Sequence, residues 1–345
     1  MTRIKTVRLA LFLAAMALAV PAPVRAADPA LYEAAKKEGQ LLWYTSLIVD
    51  QAARPLISAF GKKYPGIEVK FSRADSGPTA IKIIQEARAG RVQGDVFDGI
   101  DTTPPLLAAG LAAPFRPSEA GKYPAGRRDP QDRWNGLLNY YLTPAINTAL
   151  IPREQWPKSA QDLLDPRWKG KMAWSNVAAA GAPTFVGSTL MTMGEDKGMA
   201  FLRALAKQNM INLDITNRAI VDQVIFGEYP MALGIFNHHA LLSAKKGAPV
   251  QWLKVEPISA PTHSIGVVKD APHPNAARLF VDFLTSEDGQ KEIANAEYFP
   301  AMPSVPAKSP ELTPQGGGFK ANYLSPDTVT KNLDRWVAIK KELFN

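Results

Sequence analysis

The stretch LLWYTSLIVDQAARPLISAFGKKYPGIEVKF, residues 41–71, decides the fold. Leu41 to Thr45 is an apolar and aromatic run of strand length. From Asp50 to Tyr64 the apolar residues return at helical spacing (Ala53, Leu56, Ile57, Phe60), and Pro65-Gly66 ends that helix. Ile67 to Phe71 alternates as a second strand. Thr79 to Ala89 carries a further helical period, with Gly90 as its stop, and Gly94-Asp95-Val96-Phe97 supplies a third strand. Strands alternating with helices over short links make a parallel sheet flanked by helices.

Outward from this unit, Ala113 to Trp134 is rich in Pro, Arg and Asp and reads as a surface excursion, and Gly136 to Ile151 as one long extended segment passing between lobes. The strand–helix alternation resumes after Pro157. Strands are expected over Lys171–Ser175, Ile211–Leu213, Tyr229–Phe236, Trp252–Val255 and Ser264–Val268. Helices are expected over Gly181–Met193, Asp196–Gln208, Ala219–Phe226 and Asn275–Leu284. Ser325-Pro326 caps a last helix bearing Leu333, Trp336, Val337 and Leu343. Two α/β lobes follow, with no internal repeat.

The N-terminus has its own logic. Arg3, Lys5 and Arg8 precede an apolar run from Leu9 to Val20, followed by Pro21, Pro23 and then Val24-Arg25-Ala26. This is the layout of a secretory signal cleaved near Ala26. The run is too short for the ~20 residues of a membrane span. An exported chain is therefore expected, without a later span of its own.

With 345 residues the chain can form two core-bearing domains. Its formal charge of +8 owes four cations and no acids to the first 26 residues, leaving 36 bases against 32 acids. No Lys/Arg run with interleaved aromatics accompanies them, so nucleic acid is not an expected partner. The absence of cysteine removes thiol nucleophiles, thiolate metal sites and disulfides. There is no G-x-S-x-G, H-E-x-x-H or phosphate-binding G-x-x-x-x-G-K-[ST]. Adjacent His238 and His239 diverge on regular elements, and reach one cleft together only at a bend or a helix end.

Several motifs carry a resemblance. They are Leu41 to Ser46, Gly94 to Phe97, the run from Pro157-Lys158-Ser159 through Asp162-Leu163 to Trp168-Lys169-Gly170-Lys171, and Gly247 to Val250. They continue with His273-Pro274-Asn275-Ala276-Ala277 running to Leu284, and Ser286-Glu287-Asp288-Gly289-Gln290. In these the chain resembles the bacterial extracellular solute-binding proteins of ABC importers, in the branch with ferric-iron-binding and related periplasmic proteins. The resemblance implies an α/β, two-lobed periplasmic-binding-protein fold (type II, Venus-flytrap) with hinge-crossing strands that closes on its ligand. The expected division is a signal peptide at 1–26, one lobe from 27–140 plus 262–299, a second lobe at 141–261, and a C-terminal helical segment at 300–345.

In such sheets ligands sit beyond the strand carboxyl ends, where helix N-termini point into the crevice. Thr45 and Ser46 end the first strand, and serve either a ligand or a turn. Ser76, Gly77 and Thr79 open a helix with hydroxyls and free N–H groups. Gly181 and Ala182 form a similar opening in the second lobe. Asn217 and Arg218 begin another helix, with Arg218 suited either to an anion or to a salt bridge. Asp98 and Asp101 follow a strand. At Asn237-His238-His239 the iron-binding relatives carry neighbouring tyrosines; imidazoles suit divalent metals better than ferric iron, and also suit an anionic ligand.

The resulting expectation is a periplasmic, monomeric binding component without cofactor or catalysis. It captures a small polar, anionic organic solute and delivers it to an ABC permease and ATPase complex in the inner membrane. The alternative is ferric iron or another metal or metal chelate, held through His238 and His239.

Overall fold

A computed structural model describes residues 28–177 and 180–345. The expected signal segment lies outside the described residues. Thirteen strands form two joined sheets: β1 (Gln40–Thr45), β2 (Glu68–Arg73), β3 (Val96–Gly99), β4 (Ala112–Ala113), β5 (Asn135–Asn139), β6 (Leu142–Asn147), β7 (Met172–Ser175), β8 (Ile211–Leu213), β9 (Met231–Phe236), β10 (Val250–Trp252), β11 (Ile258–Val268), β12 (Phe299–Pro300) and β13 (Ala321–Leu324). The helices are α1 (Pro29–Glu38), α2 (Arg54–Lys63), α3 (Ser76–Arg88), α4 (Thr103–Ala108), α5 (Ala182–Met193), α6 (Glu195–Ala206), α7 (Asn217–Phe226), α8 (Asn237–Lys245), α9 (Pro274–Leu284), α10 (Glu287–Asn295), α11 (Pro314–Gly317) and α12 (Pro326–Phe344). No described helix is long and apolar enough to cross a membrane.

The first sheet has β2, β1 and β3 parallel, followed by β11 running antiparallel to β3. In the second, β8, β7 and β9 are parallel, and β6 joins antiparallel to β9. Together with the flanking helices they make two α/β lobes. The segment read as one strand from Gly136 to Ile151 breaks at Tyr140-Tyr141 into β5, in the first sheet, and β6, in the second. The unbroken crossing strand is instead β11, which pairs with members of both sheets and is buried along its whole length. Pro261 and Gly266 punctuate its sequence, and burial on both faces removes the alternation that would have marked it.

The first lobe packs around aromatic edges. Trp43 of β1 meets Phe280 of α9 at 5.1 Å, and Phe60 of α2 meets Phe280 at 5.0 Å, both edge-on. The motif residues hold this frame. Glu38 accepts from the backbone N–H of Asn275 and Ala276, capping α9, while Asp95 accepts from the N–H and the Nδ1 side of His273 and from Leu42 N–H. Gln290 donates to Leu137 O and accepts from Met302 N–H. In the second lobe, Asp162 accepts from Lys158 and Ser159 N–H, and Trp168 donates back to Asp162 O.

Helix α12 lies across both lobes. Near its start Asp327 accepts from Arg133 and Trp134, which lead into β5, and Thr330 donates to Pro104 O of α4. Farther along, Trp336 packs where Gly187 of α5 has no Cβ, Arg335 pairs with Glu195 of α6, and Phe344 meets the Trp174 ring at 4.7 Å.

Candidate functional site

Strand register fixes where the sheets present their carboxyl ends. On β11, Ser264 lies opposite Gly99, the last residue of β3, and Val267 opposite Val96. Ser259 of β11 pairs with Leu142, which pairs in turn with Phe236, the last residue of β9. Because β1 parallels β3 and β7 parallels β9, the carboxyl edges of both sheets face the crossing between Ser259 and Ser264.

A polar and aromatic cluster occupies that crossing. Asp98 of β3 is fully buried, and its Oδ1 accepts from Ser46 N–H and Ser46 Oγ, both at 3.1 Å, with His263 Nε2 at 2.8 Å. The edge of His263 meets Tyr140, at the break between β5 and β6, with centroids 5.6 Å apart. Tyr140 stacks on His238 at 5.4 Å, and Tyr298 touches both rings. His238 and His239 lie in the first turn of α8 with centroids 4.3 Å apart, so a helix end does bring the pair together.

Electrostatically the site disfavours charge on His238 and His239. Burial, reinforced by His239 and Arg218, keeps the His238 imidazole well below its ordinary pKa. Burial, with Arg218 next in weight, pushes His239 down to about 4. Burial raises the Tyr140 phenol well above its usual range and pushes Tyr298 up to about 12. Among the described residues no three His, Cys, Asp or Glu side chains converge as metal ligands.

The other expected contacts are distributed as follows. Thr45 is buried, its Oγ1 accepting from Leu47 N–H. Ser76 and Gly77 begin α3, whose N-cap residue Asp75 makes no side-chain cap; Thr79, one turn in, is buried. Asp101 sits half-buried in the turn after β3. Gly181 precedes α5 and Ala182 begins it; a Cβ at Gly181 would overlap the Ser175 and Val177 carbonyls, so the turn requires glycine. Asn217 donates to Ala180 O, holding the turn before α5. Arg218 pairs with Asp222 and donates to Ser243 Oγ and His239 O, fastening α7 to α8. Asn237 donates to Leu312 O.

Ser46, Asp98, His238 and His239 are thus brought to one place; Arg218, Asn217 and Asn237 are engaged in the frame around it. The sequence reading missed His263, Tyr140 and Tyr298 as members. The legible signal was a titratable His263 inside the run Ile258–Val268. This arrangement can hold and orient a polar solute.

Comparison with known proteins agrees with this geometry. Residues 96–318 match the family described as bacterial extracellular solute-binding protein. The Fe(3+)-binding periplasmic protein of Serratia marcescens is 26% identical, over 73% of this chain and 76% of its own. A Salmonella typhimurium protein named as a candidate 2-aminoethylphosphonate-binding periplasmic protein is 25% identical, over 79% of each chain. The periplasmic binding protein AfuA from Actinobacillus pleuropneumoniae, with fructose-6-phosphate bound, superposes with a TM-score of 0.72 at 21% identity, covering 89% of this chain and 98% of that one. Family and fold are those of binding proteins rather than enzymes. With two lobes joined by a crossing strand, a polar cluster where their carboxyl edges meet, and a family match over most of its length, this chain belongs to the bacterial extracellular solute-binding proteins, the capture components of ABC importers.

Proposed function

We propose that this protein captures a small, polar, anionic organic solute between its lobes in the periplasm and delivers it, as a monomer, to an inner-membrane permease. The observation that carries the reading is the opening of α3 and α5. Each begins beyond a strand carboxyl end, one in each sheet, and neither Asp75 nor Gly181 gives it a side-chain cap. Of the others, α1, α7, α10 and α12 are capped by Asp28, Thr216, Ser286 and Ser325, while α2, α4, α8 and α9 likewise have no cap from the N-cap side chain. Uncapped N–H groups with the positive end of the helix dipole suit phosphate or carboxylate. The division into lobes at 27–140 with 262–299 and at 141–261 belongs to the same proposal, as does closure of one lobe on the other around the solute.

Thermal-shift and calorimetric titration with phosphorylated and carboxylated solutes test it. A ligand at 100 times its dissociation constant adds about 2.7 kcal/mol of stability. The contact of the His238 and His239 rings favours a second reading, a metal or metal chelate as cargo. Purified protein that carries stoichiometric iron and ignores every organic anion would replace the first reading with the second.

A further inference from the structure

The cluster at the crossing is unevenly satisfied, and the imbalance has a direction. Oδ1 of Asp98 accepts from three donors, whereas its Oδ2 is buried with no hydrogen-bond partner among the described residues. Nδ1 of His238 and Nδ1 of His239 are likewise buried and unpartnered. A buried carboxylate oxygen without a donor costs more than a lost neutral hydrogen bond, and in native proteins such an atom calls for a physical explanation. Among the described residues no Lys or Arg side chain makes an ion pair with Asp98; its side-chain partners are Ser46 and His263. The floor of the crossing therefore offers acceptor capacity, opposite in sense to the N–H groups at the openings of α3 and α5.

We infer that the solute is bipolar: besides its anionic group it carries a hydroxyl or ammonium that donates to Asp98 Oδ2, making Asp98 the specificity-determining residue of the site. The inference rests on the anion-binding reading for the other end of the solute. His263 and Ser46 act as positioning residues, because they fill Oδ1 and leave Oδ2 as the unengaged oxygen of the carboxylate. Asp98→Asn tests this directly. An amide keeps an acceptor for Ser46 and His263 but places an NH2 group where the ligand needs an acceptor.

The experiment is calorimetric titration of the purified protein with ethyl phosphate, phosphoethanolamine, glycerol 3-phosphate, ethanolamine and glycerol. Phosphoethanolamine or glycerol 3-phosphate should bind at least about tenfold more tightly than ethyl phosphate, the loss expected when a buried polar group is left unpaired. Which of the two is preferred tells ammonium from hydroxyl. Asp98→Asn should abolish that preference, read as the ratio of each affinity to that of ethyl phosphate on the same variant. Equal affinities of the wild type for all three phosphates, or a preference that survives Asp98→Asn, overturn the inference and leave anion capture standing. Binding of ethanolamine or glycerol but of no phosphate overturns anion capture and leaves the donor assignment standing. Binding of none of the five overturns both. Should Asp98→Asn not fold, the wild-type series alone decides.

Discussion

The two histidines at the head of α8 are held neutral by burial, and this gives the fold a pH signature. Their ordinary pKa is 6.5; folded His239 lies at about 4, and His238 well below its ordinary value. A base whose folded pKa is depressed stabilises the native state fully above its unfolded value. That contribution is lost as pH falls from 6.5 toward the folded pKa, because the unfolded chain takes up protons that the native state refuses. Each such proton steepens the loss by about 1.4 kcal/mol per pH unit. Melting temperatures measured between pH 7 and pH 4 should therefore fall less steeply for a His238→Asn, His239→Asn double variant than for the wild type. Parallel curves would show that the imidazoles do not resist protonation. At this scale the sequence was partly legible. Arg218, open from its sequence to an anion or a salt bridge, takes Asp222 four residues on, while Asn237 finds its partner 75 residues away and Asp98 meets His263 across 165 residues, separations that no local pattern encodes.

Elements that announce themselves by period and stop signal were readable: β1, α2, β2, α5 and α9 lie close to where apolar spacing put them. Of the crossing strand β11 only Ser264–Val268 was read, because the strand is buried on both faces, and the short helix α8 was not, because its first turn carries polar residues in a mostly buried setting. Helix α9 also shows why the His273-Pro274 motif has its form. Proline at the first turn removes one orphan N–H, and Glu38 from the end of α1 takes two others. Glu38→Ala leaves those N–H groups without their acceptor and should cost about 1–2 kcal/mol, measured as a lower urea midpoint with an unchanged slope. A midpoint equal to the wild type would mean that water replaces the carboxylate at no cost. Gly187→Ala should be felt at a distance, since its methyl group would overlap the Trp336 ring and push α12 from α5.

Across the whole molecule, α12 links the lobes away from the polar cluster. Its first turn is held through Asp327 to Arg133 and Trp134, its last through Phe344 to Trp174 and Asn212. Any change in the angle between lobes must strain or release one of these anchors. Asp327→Ala, which touches no residue of the cluster, should thus shift solute affinity by about 0.5–2 kcal/mol, read by titration alongside the radius of gyration with and without ligand. An affinity and a radius both equal to the wild type would show that the helix is only a passenger. The shared strand β11 reaches further still. Strands β3, β4 and β5 of the first sheet and β6 and β13 of the second all pair with it, so the two halves are expected to melt together. A scanning calorimeter should record one endotherm, with van't Hoff and calorimetric enthalpies in agreement, and amide protons from Ile258 to Val268 should be among the last to trade for deuterium.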